Sequence, residues 1–402
     1  MKMTIEDIPQ IKDWLSQFDH SLPDKYLAKY MLKKMRYVSF NEVEEWLQTS
    51  IEQLIRDIEK EDGKRSPIAI FPVSKPFINP FNEGKEVKPA NDSAGRIAHS
   101  LKNLERRLPQ NVEVTPRVQS MYDRRVKHII YVDDFIGTGN RCIKSWRKTV
   151  SRRVKSWCSH GWCKIWVLSF AAHKSGINHI TNQIRPINKD RFRVNLVIDK
   201  SFIIDNIELA KMSYRYGNRL GKSSVGLGYG KLVSPVVFQH GCPNNVPGIF
   251  WSYGKKGRKS WKPLFPERSV SVDLYPLFNS DLTAETTAEE LWMVGHHKLA
   301  VEIIDEISNY KGRHQLIMIL GFLEKGKSIE KIRNVLVLSQ VELDEKLHEL
   351  QEYGLIGINN YPTQFGLDIL KRGEKNKRIK QDKRFDRENF YPASFLGFQR
   401  EV

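Results

Sequence analysis

The sequence has no long hydrophobic run, since no stretch of about 18 uncharged apolar residues occurs in the chain. The first residues, MKMTIEDIPQIKDW, have neither the apolar core nor the small-residue cleavage site of a signal peptide. Cysteine is scarce: the 402 residues include four, at positions 142, 158, 163 and 242, and their spacing shows no paired framework. These absences argue against a membrane protein and a disulfide-rich secreted domain. They predict a cytoplasmic protein with unbridged thiols.

Acidic residues are missing from one part of the chain. The formal net charge is +18, and no aspartate or glutamate lies between Asp134 and Asp190. That window holds the basic residues Arg141, Lys144, Arg147, Lys148, Arg152, Arg153, Lys155, Lys164, Lys174, Arg185 and Lys189. Such an imbalance favours polyanions, so we expect nucleic acid to bind a basic surface. The alternative, a cationic helix face that only keeps the protein dissolved, stays open for any one short cluster.

Hydrophobic periodicity predicts the elements of the first 280 residues. Apolar residues at three- and four-residue steps predict helices through residues 1–63, which would form a cap. Apolar runs then alternate with helical segments, and strands are predicted at 66–73, 129–134, 163–172, 193–199 and 234–240. Apolar strands that alternate with helices favour an α/β fold with a mainly parallel sheet covered on both faces. The proline-rich, aromatic stretch from 243 to 268 is predicted to be an irregular flap.

Beyond residue 281 the pattern changes to helices only. Three helix-length segments precede GINNYPTQFGLDIL, a predicted hairpin and closing turn, and Ser339 with Glu342 predicts a capping box on the third helix. Residues 310–370 resemble a winged-helix domain. The third helix carries five acidic residues and one lysine, which disfavours insertion into a DNA groove and favours a docking surface.

The stretch IIYVDDFIGTGNR, residues 129–141, joins an apolar strand to a small-residue loop. Asp133 and Asp134 are predicted at the carboxyl end of the strand, the edge where ligands bind in open α/β sheets. The glycines on either side of Thr138 allow a tight turn whose amides point at a phosphate. Carboxylates that accept bonds from vicinal hydroxyls, beside a phosphate loop, describe a site for a ribose 5-phosphate. An acidic strand end followed by an ordinary glycine turn is the alternative.

This motif is similar to the phosphoribosyl-diphosphate (PRPP) binding motif of type I phosphoribosyltransferases, with four apolar residues, two acidic ones and a Thr-Gly loop. The resemblance implies that the paired acids, here Asp133 and Asp134, contact the ribose hydroxyls. It also implies that the 5-phosphate is held by a loop that here consists of Gly137, Thr138, Gly139, Asn140 and Arg141. The family often has a second Thr or Ser where this chain has the arginine, which can itself bind phosphate bidentately.

The same resemblance implies a reaction and two further site residues. In the family, pyrophosphate is displaced at the anomeric carbon of the ribose, with Mg²⁺ bridging the diphosphate and the ribose hydroxyls. No protein ligand for a metal is predicted directly. Family members carry a diphosphate loop after the first sheet strand, where Lys75 stands, and Arg96 at the start of the next helix is a second candidate. For both, a solvated basic side chain is the alternative interpretation.

Across nearly its whole length, the chain resembles phosphoribosyltransferase-like proteins linked to prokaryotic antiphage systems, retrons among them. The features are the helical N-terminus, VDDFIGTGN, PNNVPGIFW, PLFPER, the winged-helix segment and FYPASFLGF. The predicted regions are a helical cap at 1–63, a phosphoribosyltransferase-like domain at 64–280, a winged-helix domain at 281–370 and a basic tail at 371–402.

This resemblance implies a toxic defence effector that binds PRPP or a nucleotide. In a retron its partners would be a reverse transcriptase and the RNA-linked DNA that this enzyme makes. The oligomeric state stays open. One alternative is a non-catalytic module that senses a nucleotide or acts as a scaffold for nucleic acid or protein. A second is a housekeeping transferase of nucleotide salvage, in which the additional domains would have no role.

Two other groups of residues are weaker candidates for a site. Cys158, His160 and Cys163 lie close together in the sequence, but a fourth zinc ligand with suitable spacing is missing. His173 follows a predicted strand and could reach the site, although a packed or exposed histidine is the commoner case.

Overall fold

The computed structural model describes residues 8–73, 93–199, 207–220, 226–254, 261–274, 287–304 without 289 and 293, and 314–375. The strands are β1 Arg36–Val38, β2 Ile68–Pro72, β3 Val112–Val114, β4 His128–Ile136, β5 Lys164–His173, β6 Phe192–Ile198 and β7 Val236–Phe238. The helices up to residue 220 are α1 Pro9–Ser16, α2 Leu22–Lys33, α3 Phe40–Asp62, α4 Ser93–Glu105, α5 Val118–Asp123, α6 Asn140–Thr149, α7 Arg152–Ser159, α8 Lys174–Gln183 and α9 Ile207–Arg219. They are followed by α10 His297–Ile304, α11 His314–Glu324, α12 Ile329–Leu336, α13 Gln340–Glu352 and α14 Gln364–Lys375.

The main sheet has five parallel strands in the order β3-β2-β4-β5-β6. The central strand β4 is buried along its whole length, because neighbouring strands cover both edges and helices cover both faces. The predicted α/β class with a mainly parallel sheet is therefore confirmed. One predicted strand lies elsewhere: β7, within the run predicted at 234–240, pairs with β1 in a separate two-stranded sheet.

By their internal contacts the residues form two compact units, and the predicted domain boundaries stay a prediction. One unit consists of residues 1–36, 202–226 and 248–402, and the other of residues 37–201 and 227–247. Helix α3 belongs to the sheet unit and packs on β5, where the Trp46 and Phe170 rings meet edge to face with 5.4 Å between their centroids. The first two helices belong to the other unit.

The sheet unit has a hydrophobic layer on each face of the sheet. On one face, α3 buries a stripe of seven residues, Val43, Trp46, Leu47, Ile51, Leu54, Ile55 and Ile58, at the spacing of an amphipathic helix. On the other face, Ile143 of α6, Val154 of α7 and Ile180 of α8 pack with the strand residues Ile129 and Ile165. Both layers hold β4 and the loop after it in a fixed place.

The second unit contains α1, α2, α9 and, of the aromatic stretch predicted to be a flap, the described residues 248–254 and 261–268. That stretch is irregular, but Ile249, Phe250, Leu264 and Phe265 are fully buried. The indole of Trp14 in α1 donates to the Ile249 carbonyl at 3.1 Å. The described part of this stretch is therefore a piece of the core, because its apolar residues pack against the amphipathic helix α1.

The C-terminal helices of this unit share a core of their own. Ser339 and Glu342 form the predicted capping box at the start of α13. After α13, one antiparallel bridge joins Ile356 to Pro362. The chain then continues as helix α14, in place of the predicted closing turn. These elements are compatible with a winged-helix domain, which stays a prediction.

No helix among the described residues is long and apolar enough to span a membrane.

Candidate functional site

The candidate site begins at strand β4, which runs two residues beyond its predicted end. Phe135 pairs with Ala171 and Ile136 with Ala172 of β5, so Asp133 and Asp134 lie within the strand. Phe135 and Ile136 are apolar residues of types that favour strands, so the pairing of β4 with β5 continues through them. Successive side chains of a strand point to opposite faces, yet both carboxylates contact the guanidinium of Arg141.

Arg141 joins the two carboxylates. One terminal nitrogen, Nη2, pairs closely with Asp133 Oδ1 and lies 3.1 Å from Asp134 Oδ1. The same nitrogen donates to the carbonyl of Phe135 at 3.3 Å. Both aspartates are at most 3% exposed, so this guanidinium supplies the positive charge that two buried carboxylates need. The arginine that departs from the family motif therefore folds back from α6 onto the acids.

His240 is a second partner of the acids. Its Nε2 lies 2.7 Å from Oδ2 of Asp134, and the amide of Phe135 donates to Oδ1 of the same carboxylate at 2.9 Å. The imidazole stacks on the Phe238 ring, with 5.0 Å between ring centroids, and lies 6.2 Å from the Phe40 ring. The histidine comes from the residues after β7, far from β4 in sequence.

Burial and the contact of His240 with Asp134 alone separate the pKa values of the two acids. Burial raises the pKa of Asp133 to about 8, with Arg141 opposing this shift and the charge of Asp134 adding to it. Burial also acts to raise the pKa of Asp134, but the hydrogen bond from His240 and the charge of Arg141 outweigh it and lower that pKa. The pKa of Arg141 is raised, because the two carboxylates outweigh its desolvation. Near neutral pH one proton is therefore held by this pair of acids.

The loop between β4 and α6 leaves three successive amides unused. Among the described residues, no acceptor is found for the backbone N–H groups of Gly137, Thr138 and Gly139. Gly139 has φ 79°, a left-handed conformation that suits glycine, and it caps the N-terminus of α6. The hydroxyl of Thr138 accepts from the amide of Asn140 at 3.5 Å. Free amides before a helix start form an arrangement that can bind an anion.

Tight packing fixes the shape of this loop. A Cβ on Gly176 of α8 would lie 2.0 Å from the Gly137 carbonyl oxygen. A Cβ on Gly137 would lie 2.5 Å from the side-chain oxygen of Asn245, which is itself buried. His179 Nδ1 lies 2.9 Å from the Thr138 carbonyl, which accepts its hydrogen. The glycines therefore serve close contacts with protein as well as the turn.

The remaining predicted site residues have different outcomes. Asn140 opens α6, and its side-chain amide donates to the Tyr229 hydroxyl at 3.3 Å. Arg96 is exposed on α4, with its guanidinium 4.8 Å from the centroid of Phe40, the ring that also faces His240. It thus lies near the acids but does not pair with them. Lys75 lies outside the described residues.

The sequence patterns did not assign His240, Gly176 or His179 to the site. His240 and Asn245 follow the short strand β7, whose pairing with β1 carries no motif. The loop amides and Arg141 were expected from the motif, but the pairing of Arg141 with both acids was not. Only the fold brings a residue such as His240 to the end of β4.

Of the weaker candidates, Cys158, Cys163 and His173 are buried in the core, whereas His160 is exposed. Cys163 donates to the Val126 carbonyl at 2.8 Å, and burial raises its pKa to about 11 and that of Cys158 to about 12. Burial also lowers the pKa of His173 to about 4, and its Nε2 has no hydrogen-bond partner among the described residues. Within the part of the chain that the structure describes, no group of three or more His, Cys, Asp or Glu residues could hold a metal ion.

A comparison with protein families gives a match over a range that includes the sheet unit and its motif. The model of the family PRTase-CE matches residues 11–267, which is more than half of the chain. The chain belongs to the PRTase-CE family. The match supports a phosphoribosyltransferase-like domain, and it includes β4, the loop and α6. No curated protein and no solved structure matches the chain significantly.

Proposed function

We propose that this PRTase-CE protein is the effector of an antiphage defence system of the retron type, and that it binds PRPP or a related ribosyl phosphate or nucleotide. The proposed binding rests mainly on the loop Gly137 to Gly139, whose three amides have no acceptor among the described residues, next to the buried pair Asp133 and Asp134. The amides suit a 5-phosphate, and the carboxylates suit the two ribose hydroxyls.

Arg141 gives this site a ligand-dependent arrangement. Its guanidinium pairs with both acids. A phosphate at the loop would compete for the guanidinium, since arginine binds phosphate bidentately. The carboxylates released in this way would accept the hydrogen bonds of the ribose hydroxyls. Binding would thus exchange one set of charge-assisted bonds for another.

The proposed reaction is transfer at the anomeric carbon. The bond from C1 of the ribose to the diphosphate oxygen breaks, a bond from C1 to an acceptor forms, and pyrophosphate leaves with the electron pair. Asp133 and Asp134 would orient the ribose, and Arg141 with the loop amides would hold its phosphate. The described residues fit a metal that arrives with the substrate, because the two carboxylates already have nitrogen partners. When bound in this way, Mg²⁺ would offset charge on the diphosphate.

The defence role rests on the sequence resemblance, and so do the proposed partners, a reverse transcriptase and its RNA-linked DNA. Its test is a plaque assay in cells that carry the whole system. Asp133→Asn with Asp134→Asn should abolish protection, while the exposed Asp190→Asn, also in the sheet unit, should leave it intact. Equal protection from the double variant and the wild type would contradict a role of this site in defence.

A non-catalytic sensor is the second candidate, and one observation favours it. Arg141 and His240 already occupy the acids, which suits a binding site that changes state with its ligand more than a site open for turnover. Such a module would bind PRPP or a nucleotide, pass on the change to its partners and return the ligand unchanged.

One experiment separates these proposals. The purified protein is titrated calorimetrically with PRPP and with nucleotides, and its incubations with PRPP, NAD and nucleoside triphosphates are followed by mass spectrometry. Binding with turnover supports transfer, and binding without turnover supports the sensor. The double asparagine variant should bind PRPP at least about tenfold more weakly, because it loses charge-assisted hydrogen bonds. Absence of any binding by the wild type would overturn both.

A further inference from the structure

A strongly basic surface on the sheet unit lies outside the candidate site. It is formed by six cations of α6 and α7, here called the α6–α7 basic face: Lys144, Arg147, Lys148, Arg152, Arg153 and Lys155. Five of them are exposed and Lys155 is half-buried. Within the described residues, none of the six forms an ion pair with a carboxylate. Their charge is therefore not neutralised by any carboxylate in the part of the chain that the structure describes.

Contacts between the two helices place these cations side by side. Lys155 Nζ of α7 donates to the Arg147 carbonyl of α6 at 3.0 Å and lies 6.0 Å from the Trp146 ring centroid. Desolvation lowers the pKa of Lys155, and the neighbouring positive charge of Arg152 lowers it further. The cations thus form one positive surface, where a chain of negative charges would be favourable.

Exposed aromatic rings lie beside the cations. Tyr122 of α5 is 59% exposed, and the guanidinium of Arg153 lies 5.9 Å from its ring centroid. The Tyr122 ring stacks on Trp157 of α7, with 6.1 Å between centroids, so it is supported from one side. At the end of α7, Trp162 is 66% exposed and stacks on His160. These rings offer flat apolar surfaces next to positive charge.

We propose that the α6–α7 basic face binds single-stranded nucleic acid, with phosphates on its cations and an unpaired base stacked on Tyr122. Binding sites for single strands combine two elements: cations that follow the phosphate backbone of the nucleic acid, and aromatic rings on which its bases stack. A duplex would use the cations but not the ring, because its bases are already stacked on one another. The aromatic contact therefore favours a single strand.

The first test compares two triple variants that lose equal charge. In the full chain, Lys148→Ala, Arg152→Ala and Arg153→Ala change the face, and Lys12→Ala, Lys64→Ala and Lys331→Ala change exposed lysines elsewhere. Fluorescence anisotropy with a 20-nucleotide oligo(dT) is measured from about 50 to 200 mM salt. The face variant should bind about tenfold or more weakly, with a salt slope reduced by about 2, at about 0.7 per lost phosphate contact. Equal weakening by both triples would overturn the proposal.

The second test concerns the ring. Tyr122→Ala should weaken oligo(dT) binding about fivefold or more, while Tyr122→Phe keeps it, since stacking needs the ring and not the hydroxyl. Thermal unfolding of both variants checks that the packing on Trp157 survives. Tighter binding of a 20-base-pair duplex than of oligo(dT), or no loss in Tyr122→Ala, would overturn the single-strand assignment. The PRPP titration of the face variant reports separately on the neighbouring loop, so failure of one proposal is distinguishable from failure of the other.

Discussion

At the scale of single residues, the acids of the motif are held by protein groups. Asp133 and Asp134 share one guanidinium, and Asp134 has His240 in addition. Two buried carboxylates beside one arginine carry an excess negative charge unless one of them is protonated. The raised pKa of Asp133 removes this excess near neutral pH. The site is thus electrically balanced before any ligand enters.

This balance predicts a pH dependence of stability. The pKa of Asp133 is raised to about 8 in the folded protein, above its value in the unfolded chain, so the folded state binds more protons between these two values. The contribution of Asp133 is therefore fully present below about pH 4 and is lost as the pH rises towards 8. In Asp133→Asn this contribution is absent. We expect the free energy of unfolding of the variant, relative to wild type, to increase by roughly 3.5 kcal/mol between pH 5 and pH 8, at about 1.4 kcal/mol per pH unit below the folded pKa.

Urea unfolding of both proteins at pH 5, 6.5 and 8 measures this difference. Asp190→Asn serves as the control, because that carboxylate is exposed and its difference from wild type should not change with pH. A difference between Asp133→Asn and wild type that is constant over this range would contradict a raised pKa.

At the scale of elements, the loop after β4 depends on its contact with α8. Gly176 lies within the first turn of α8, where its missing side chain admits the carbonyl of Gly137. A glycine inside a helix costs up to about 1 kcal/mol relative to alanine. The glycine is therefore explained by close approach and not by helix preference.

Gly176→Ala should destabilise the protein despite the better helix propensity of alanine. Its Cβ would lie 2.0 Å from a backbone oxygen, so α8 or the loop must shift. We expect a net loss of about 2 kcal/mol and weaker PRPP binding, measured by urea unfolding and calorimetry. Gly357→Ala is the control, since its Cβ would meet nothing closer than the Tyr361 carbonyl oxygen at 3.9 Å. An unchanged or higher stability of Gly176→Ala would show that the loop adapts freely.

The sequence predicted elements well where a local pattern is strong. The strand at 129–134, the helix after Gly139 and the capping box at Ser339 carry periodicity or cap chemistry, which act over a few residues. β1 and β3 span three residues each, too short for an alternation to be visible. The partners of the site, such as His240 and Gly176, depend on contacts between distant segments. Their positions follow from the assembled sheet and not from any local signal.

At the scale of the whole molecule, both units combine segments that are distant in sequence. In the unit that contains α1 and α2, Lys34 pairs closely with Glu290, with the two side chains 4% and 7% exposed. In the same unit, Arg36 pairs with Glu342 of α13 at 2.6 Å. The N-terminal segment and the C-terminal helices are therefore joined by charge pairs, one of them buried.

Removal of one member of the buried pair should be costly. Lys34→Ala leaves the Glu290 carboxylate buried without its partner, and we expect a loss of about 3 kcal/mol in the free energy of unfolding. Lys25→Ala, in α2, breaks a largely exposed pair with Asp19 and should cost less than about 1 kcal/mol. The double variant Lys34→Met with Glu290→Met should lose less than Lys34→Ala. Similar losses for Lys34→Ala and Lys25→Ala would contradict a stabilising role of the buried pair.

The Lys34–Glu290 pair also limits how genes of this kind can recombine. A crossover that replaced the C-terminal half with an unrelated module would leave the buried ammonium of Lys34 without the Glu290 carboxylate, unless codon 34 changed in the same event. We therefore expect natural rearrangements to inherit the two ends of the reading frame together, while exchanges confined to the surface of the sheet unit remain tolerated.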